Sequence, residues 1–179
     1  MTLPNILTFI RLALIPVIIG LLYMGTIWAT WLALVLYIAG ALTDFLDGWI
    51  ARKYDQVTEL GKMMDPIADK IFVSVIMLTL MAIQRIDGVW ALVVMIIVCR
   101  EFIVAGLREY LGPKNIKLPV TVLAKWKTTA QMIATGILIV APLIPFGYTL
   151  GLSLLAIAGL LTIMTGTIYM KAGLKSLSE

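Results

Sequence analysis

Residues 30–84 read TWLALVLYIAGALTDFLDGWIARKYDQVTELGKMMDPIADKIFVSVIMLTLMAIQ. Two segments of this stretch, Trp31 to Leu42 and Ile71 to Ile83, contain no charged residue, and all the acids lie between them. A bilayer core of about 30 Å needs roughly 20 mostly apolar residues per helix. The stretch therefore predicts two membrane-crossing helices whose charged ends meet at a short polar connection.

The rest of the chain continues this pattern. It has 179 residues, of which 61% are hydrophobic and 13% charged, far from the composition of a soluble protein. We predict an all-α, polytopic membrane protein with six transmembrane helices, in a single domain over residues 1–179. The predicted spans are Leu3 to Met24, Thr30 to Arg52, Gly61 to Gln84, Val89 to Leu111, Pro119 to Leu143 and Tyr148 to Lys171.

The basic residues predict the orientation. The chain has fourteen Lys and Arg residues and ten Asp and Glu residues. Among the basic residues, only Arg85 falls on the side of the odd-numbered loops. By the positive-inside rule, both termini and the charged helix ends are cytoplasmic, in a membrane of the bacterial inner or cell-membrane type. The excess positive charge indicates contact with anionic membrane lipids, and no pattern typical of nucleic-acid binding occurs.

The charged residues gather at one depth of the predicted bundle. They end the second and fourth helices and begin the third and fifth, which describes a polar cavity open to the cytoplasmic side. Intramembrane charge is costly unless it is paired, hydrated or bound to metal, so this cavity is the candidate functional site. Because the chain has one cysteine and no histidine, a metal there needs oxygen ligands, which favours Mg²⁺, Mn²⁺ or Ca²⁺.

Four aspartates form the centre of that site. Asp44 and Asp47 share one helix face, and Asp65 and Asp69 share a face of the next helix. A short connection makes the two helices antiparallel neighbours, so the pairs should converge. Four converging carboxylates repel one another unless cations are present, and two divalent ions are a common device for displacement at phosphorus.

The full spacing resembles the signature of the CDP-alcohol phosphotransferases: Asp44-x2-Asp47-Gly48-x2-Ala51-Arg52-x8-Gly61-x3-Asp65-x3-Asp69. The resemblance implies that the four aspartates bind two Mg²⁺ or Mn²⁺ ions and that Asp69 is also the general base. It further implies a homodimer, and nucleotide-lipid contacts at Gly48, Ala51, Arg52, Thr58 and Gly61.

Two further segments are similar to the phosphatidylglycerophosphate synthases, which use CDP-diacylglycerol and glycerol 3-phosphate. These are PNILTFIR at residues 4–11, with Asn5 and Thr8 as further nucleotide-lipid contacts, and CREF and GLRE at residues 99–102 and 106–109. An anionic acceptor needs its own cations. We expect them to be Arg108 and Lys125, assisted by Arg100 and Lys127.

Other interpretations of the same residues exist. The acceptor could be inositol phosphate or another alcohol, and the four cations could extend to lipid headgroups instead. Asn5 and Thr8 could cap the first helix, and Asp65 before Pro66 could cap the third. An ion-coupled transporter would also carry intramembrane acids, but near the midplane and in both halves of the chain. A purely structural or lipid-binding protein gives no reason for four converging carboxylates.

Overall fold

The protein is all-helical over the part of the chain that the structure describes. This structure is a computed structural model; it describes the backbone of residues 3–53, 59–112 and 121–178, and the side chains of residues 5–43, 61, 63–112 and 121–173. Within these ranges there are six α-helices, one short 3₁₀ helix and no strand. The predicted all-α fold class is confirmed.

The helix bounds follow the apolar segments closely. The helices are α1 Leu3–Met24, α2 Ile27–Lys53, α3 Glu59–Ala82, α4 Gly88–Leu111, α5 Val122–Val140 and α6 Gly147–Ser178. Gly25 separates α1 from α2 with a φ of +65°, a conformation that costs glycine little.

Nine of the twelve bounds differ from the prediction, by one to seven residues, and three of the differences are informative. Helix α3 begins at Glu59, so Asp65 and Pro66 lie inside it and Asp65 is not a helix cap. Helix α5 stops at Val140 because Pro142 cannot donate the next backbone hydrogen bond, and residues 141–143 form the 3₁₀ turn. Helix α6 extends beyond Lys171 to Ser178 and continues through Gly173, where a Cβ would lie 2.6 Å from Cδ2 of Leu107.

The bundle consists of two groups of three helices. Helix α1 packs on α2 and α3, while α6 packs on α4 and α5. The groups meet through α2 on α5 and through α3 on both α4 and α5, so α3 is the central helix. Their common core contains the fully buried side chains Ile18, Ile76, Leu80, Ile97 and Leu138. Burial against several neighbours holds α3 and its acids in one place.

Three helices are long and apolar enough to cross a bilayer within the described residues: Asn5–Met24 in α1, Gly88–Leu111 in α4 and Gly147–Gly173 in α6. Helix α2 is apolar over Ile27–Thr43, and α3 and α5 carry charges in their first turns. Large side chains such as Val35, Ile38, Leu92 and Met95 are exposed, as suits contact with lipid. The count of six spans stays a prediction.

Helices α2 and α3 meet at Gly40. A Cβ at this position would lie 2.4 Å from Cζ of Phe72, and the Phe72 ring stacks on Tyr37 with 5.6 Å between ring centroids. Gly40 precedes the end of α2 by as many residues as Phe72 follows the start of α3, which is the register of an antiparallel pair. Asp47 and Asp65 each lie about two helical turns from this contact, toward the connection.

Candidate active site

The first part of the site is the junction of α1 with α3. The Thr8 hydroxyl donates a hydrogen bond of 2.8 Å to Oδ1 of Asp65. Asn5 and Thr8 are both buried, and together with Gly61 on α3 they line a narrow crevice. Because α1 begins at Leu3, Asn5 and Thr8 both lie inside the helix, and the capping hypothesis for them is wrong. The Thr8 hydroxyl instead fixes the orientation of an aspartate.

The predicted carboxylate cluster is described in part. Asp65 and Asp69 lie one turn apart on α3, and both are half-buried. On α2 the helical backbone continues through Asp44, Asp47, Gly48, Ala51 and Arg52, whose side chains lie outside the described residues. Thr58 lies outside them entirely. Among the described residues there is no group of three metal-ligating side chains.

The residues present fit a hard divalent cation. Asp65 offers a carboxylate that already accepts a hydroxyl hydrogen bond, an arrangement that orients metal ligands in proteins. Asp69 is the next carboxylate along the same helix, and the helix register brings Asp47 to the depth of Asp65. All of these donors are oxygen atoms, which suits Mg²⁺ or Mn²⁺.

A basic cavity opens beside Asp69. It has a volume of about 370 Å³ and lies among α3, α4, α5 and α6. Two carboxylates and five cations line it: Asp69, Glu101, Lys70, Arg100, Arg108, Lys125 and Lys127. The structure therefore brings all four cations predicted for the acceptor phosphate to one cavity that also contains Asp69.

Four of the five cations of this cavity divide into two kinds. Lys127 is 1% exposed and forms an ion pair with Oε1 of Glu101. Arg100 donates to the same oxygen at 2.8 Å and is mostly buried. Arg108 and Lys125, by contrast, are exposed and form no ion pair within the described part of the chain. The second kind has hydrogen-bond donors left for a ligand.

Arg100 is held from α6 as well as from Glu101. Its Nη2 donates to the Thr165 hydroxyl at 3.0 Å, and its guanidinium lies 5.4 Å from the centroid of the Tyr169 ring. Gly166, between them, leaves room for the Arg100 side chain, because a Cβ there would lie 3.2 Å from its Cγ. Three contacts thus fix one guanidinium at the wall of the cavity.

Several of these residues were not predicted from the sequence. Glu101 stands inside the quoted CREF segment but received no role there, and Arg11, buried one turn after Thr8, received none either. Thr165 and Tyr169 share a face of α6 by their spacing of four. That spacing alone gives no indication of which helix the face contacts.

Comparison with known proteins identifies the family. A sequence model of the CDP-alcohol phosphatidyltransferases matches residues 1–168. The chain belongs to this family. The match confirms the resemblance found in the spacing of Asp44 to Asp69, and members of the family are generally metal-dependent. Together with the long apolar helices, it makes the chain an integral membrane protein.

Curated proteins with similar sequences include two bacterial transferases and one plant synthase. The chain is 44% identical over 173 residues to a CDP-diacylglycerol–glycerol-3-phosphate 3-phosphatidyltransferase of Rickettsia bellii, covering 95% of this chain and 94% of that protein. It is 36% identical over 177 residues to the protein of the same name in Pseudomonas fluorescens, covering 96% and 90%. A CMP-forming cardiolipin synthase of rice is 35% identical over 188 residues, covering 96% of this chain and 57% of the rice protein. None of these names supports a transporter.

Proposed function

We propose that the protein transfers the phosphatidyl group of CDP-diacylglycerol to glycerol 3-phosphate, giving phosphatidylglycerophosphate and CMP. Bacterial relatives that match nearly the whole chain carry this activity in their names. The observation on which the proposal rests is one cavity that contains Asp69 beside Arg108 and Lys125. A carboxylate suited to accept a proton thus adjoins cations suited to hold a phosphate.

The donor site that we propose lies on the facing ends of α2 and α3. Asp44, Asp47, Asp65 and Asp69 would hold two Mg²⁺ or Mn²⁺ ions, which would neutralise charge on the pyrophosphate. The CDP part of the donor would contact seven residues: Gly48, Ala51, Arg52, Thr58, Gly61, Asn5 and Thr8. Support for the last two comes from their burial against Gly61 and from the bond between Thr8 and Asp65.

The acceptor site that we propose is the basic cavity. Arg108 and Lys125 would bind the phosphate of glycerol 3-phosphate and so present its hydroxyl to Asp69. Asp69 would take the hydroxyl proton as the oxygen forms its bond to the lipid-bearing phosphorus. The bond from that phosphorus to the bridging oxygen of the pyrophosphate breaks, and CMP leaves. This sequence needs no covalent enzyme intermediate.

The experiment that tests this function is CMP release by purified protein in detergent with CDP-diacylglycerol and Mg²⁺ or Mn²⁺. Glycerol 3-phosphate, inositol phosphate and serine are compared as acceptors, with an acceptor-free reaction as the control. We expect release with glycerol 3-phosphate well above the other acceptors. Release with a different acceptor would overturn the substrate assignment and keep the reaction class, and no release with any acceptor or metal would contradict both.

A further inference from the structure

Glu101 joins the two mostly buried cations of the basic cavity, Arg100 and Lys127. It lies on α4 and is flanked in space by Lys127 of α5 and by Arg100 of its own helix. Both contacts use the same carboxylate oxygen, Oε1. No role for Glu101 follows from the proposed reaction, which needs a base at Asp69 and cations for the acceptor.

The geometry points to Glu101 as a positioning residue for acceptor binding. Glu101 holds the side chains of Arg100 and Lys127 in place. The acceptor phosphate then binds Arg108 and Lys125 next to an Arg100 guanidinium whose position is already fixed. This inference rests on the proposed function and adds to it a separate role for each pair of cations. Arg100 and Lys127 are held by Glu101, Lys70 donates to the backbone carbonyl of Pro66, and Arg108 and Lys125 are available to the ligand.

Burial explains why Lys127 needs this partner. A lysine that is 1% exposed cannot remain charged at low cost without a carboxylate in contact with it. Lys127 and Glu101 also line, with Asp69, a small neighbouring cavity of about 30 Å³. Without Glu101, the nearest acidic side chain on that cavity is Asp69, so the lysine would turn toward the predicted base.

Preorganisation explains the effect on the acceptor. Arg100 has its Nη1 on Glu101, its Nη2 on Thr165 and its guanidinium against the Tyr169 ring. A guanidinium that is already fixed loses little entropy when a phosphate arrives, whereas a mobile one must be ordered at the expense of affinity. Loss of Glu101 removes one of these three contacts and leaves a buried lysine uncompensated.

A simple charge argument predicts the opposite result. If Glu101 were only one negative charge among several positive ones, its removal would make the cavity more basic and would lower the KM for an anionic acceptor. If Glu101 held the cations in position, its removal would raise that KM. The direction of the change in KM therefore distinguishes the two explanations.

The experiment compares Glu101→Gln with Glu109→Gln, which removes a carboxylate from the same helix outside the basic cavity. We expect Glu101→Gln to raise the KM for glycerol 3-phosphate about tenfold or more, with the KM for CDP-diacylglycerol within about twofold of wild type. Glu109→Gln should change neither by more than about twofold. An unchanged or lowered acceptor KM in Glu101→Gln would overturn the inference, as would a parallel rise for both substrates.

Two further variants keep the inference testable if Glu101→Gln fails to fold. Glu101→Asp retains the charge on a shorter side chain and should show a smaller rise in acceptor KM. Thr165→Val removes the α6 contact of Arg100 and should raise the acceptor KM by about threefold to tenfold. If Glu101→Asp and Thr165→Val both fold and leave that KM at the wild-type value, the inference is wrong.

Direct binding separates this inference from the proposed function. Equilibrium binding of radiolabelled glycerol 3-phosphate is measured for wild type, Glu101→Gln and Glu109→Gln in detergent. If wild type binds the acceptor but releases no CMP, the proposed reaction fails, while weaker binding by Glu101→Gln still supports the positioning role. Equal binding by all three proteins would overturn that role whatever the reaction is.

Discussion

Arginines lie at both ends of this bundle, and their surroundings differ. At the charged end, Arg108 lines a cavity of about 370 Å³ and forms no ion pair within the described residues. At the opposite end, Arg85 lies in the connection between α3 and α4, and its Nη1 donates to the backbone carbonyl of Ile139. Its Nη2 lies 3.5 Å from the Thr30 hydroxyl.

The difference shows that the role of a basic residue in a membrane protein depends on which groups its N–H donors contact. The carbonyls in the last turn of α5 lack intrahelical partners, and Arg85 supplies one from the next connection. Partial burial lowers the pKa of Arg85, because it removes the charged guanidinium from some of the surrounding water. Arg108 has no such backbone partner among the described residues and lines a cavity, which is the position of a binding group.

The largest expected effect comes from Asp69, the carboxylate that this comparison places beside the available cations. Asp69→Asn removes the predicted base with little change in volume, so turnover should fall by about three orders of magnitude or more. Most of the affinity for CDP-diacylglycerol should remain, because three other predicted metal ligands are intact. CMP release and equilibrium binding of the donor measure the two quantities. Loss of turnover and donor binding together would argue against the role of Asp69 as base.

The second-largest expected effect comes from replacing Arg108, whose guanidinium is available to a ligand. Arg108→Ala should raise the KM for glycerol 3-phosphate about 10-fold to 100-fold, the range expected for one charge-assisted contact to a phosphate. The KM for CDP-diacylglycerol should stay within about threefold. Arg108→Lys keeps the charge without the planar fork, and we expect an intermediate value. Equal changes for donor and acceptor would assign Arg108 to structure instead of acceptor binding.

Much of the fold could be predicted from the sequence because its determinants are local. Apolar runs of bilayer length, interrupted at Gly25 or ended near Pro142, fix where helices begin and end. The spacing of Asp44 to Asp69 led to the correct family, which the match over residues 1–168 confirms. The count of six spans, the cytoplasmic orientation and the homodimer stay predictions.

The sequence does not predict which cations of the basic cavity are buried against Glu101 and which are available to a ligand. Lys125 and Lys127 are two residues apart, so a helix turns them roughly 200° away from each other. One is exposed and the other is buried against Glu101. Which side of α5 faces α4 depends on packing between distant segments. The sequence alone therefore does not distinguish the role of Lys125 from that of Lys127.

The contact between α2 and α3 offers a test of how closely the two aspartate pairs must approach. Gly40→Ala would place a Cβ 2.4 Å from Cζ of Phe72, so the stacked rings or the helices must shift. We expect a loss of about 1–3 kcal/mol in stability, with turnover reduced as the two helix ends separate. Gly20→Ala is the matched control, since nothing lies within 4 Å of a Cβ at that position. Thermal unfolding in detergent and CMP release compare the two variants; similar results for both would show that the Gly40 contact does not set the helix spacing.

The smallest effect belongs to the end of the bundle that lacks the cavity. Arg85→Gln should reduce stability by about 1–2 kcal/mol, because the carbonyl of Ile139 loses a charged donor near a helix end. The KM values for both substrates should remain within about twofold, since Arg85 lines none of the cavities that contain Asp69. Thermal unfolding in detergent and steady-state kinetics provide the two measurements. A change in acceptor KM as large as that of Arg108→Ala would show that the two ends of the bundle are coupled, and that the separation of structural from ligand-binding cations does not hold across the membrane.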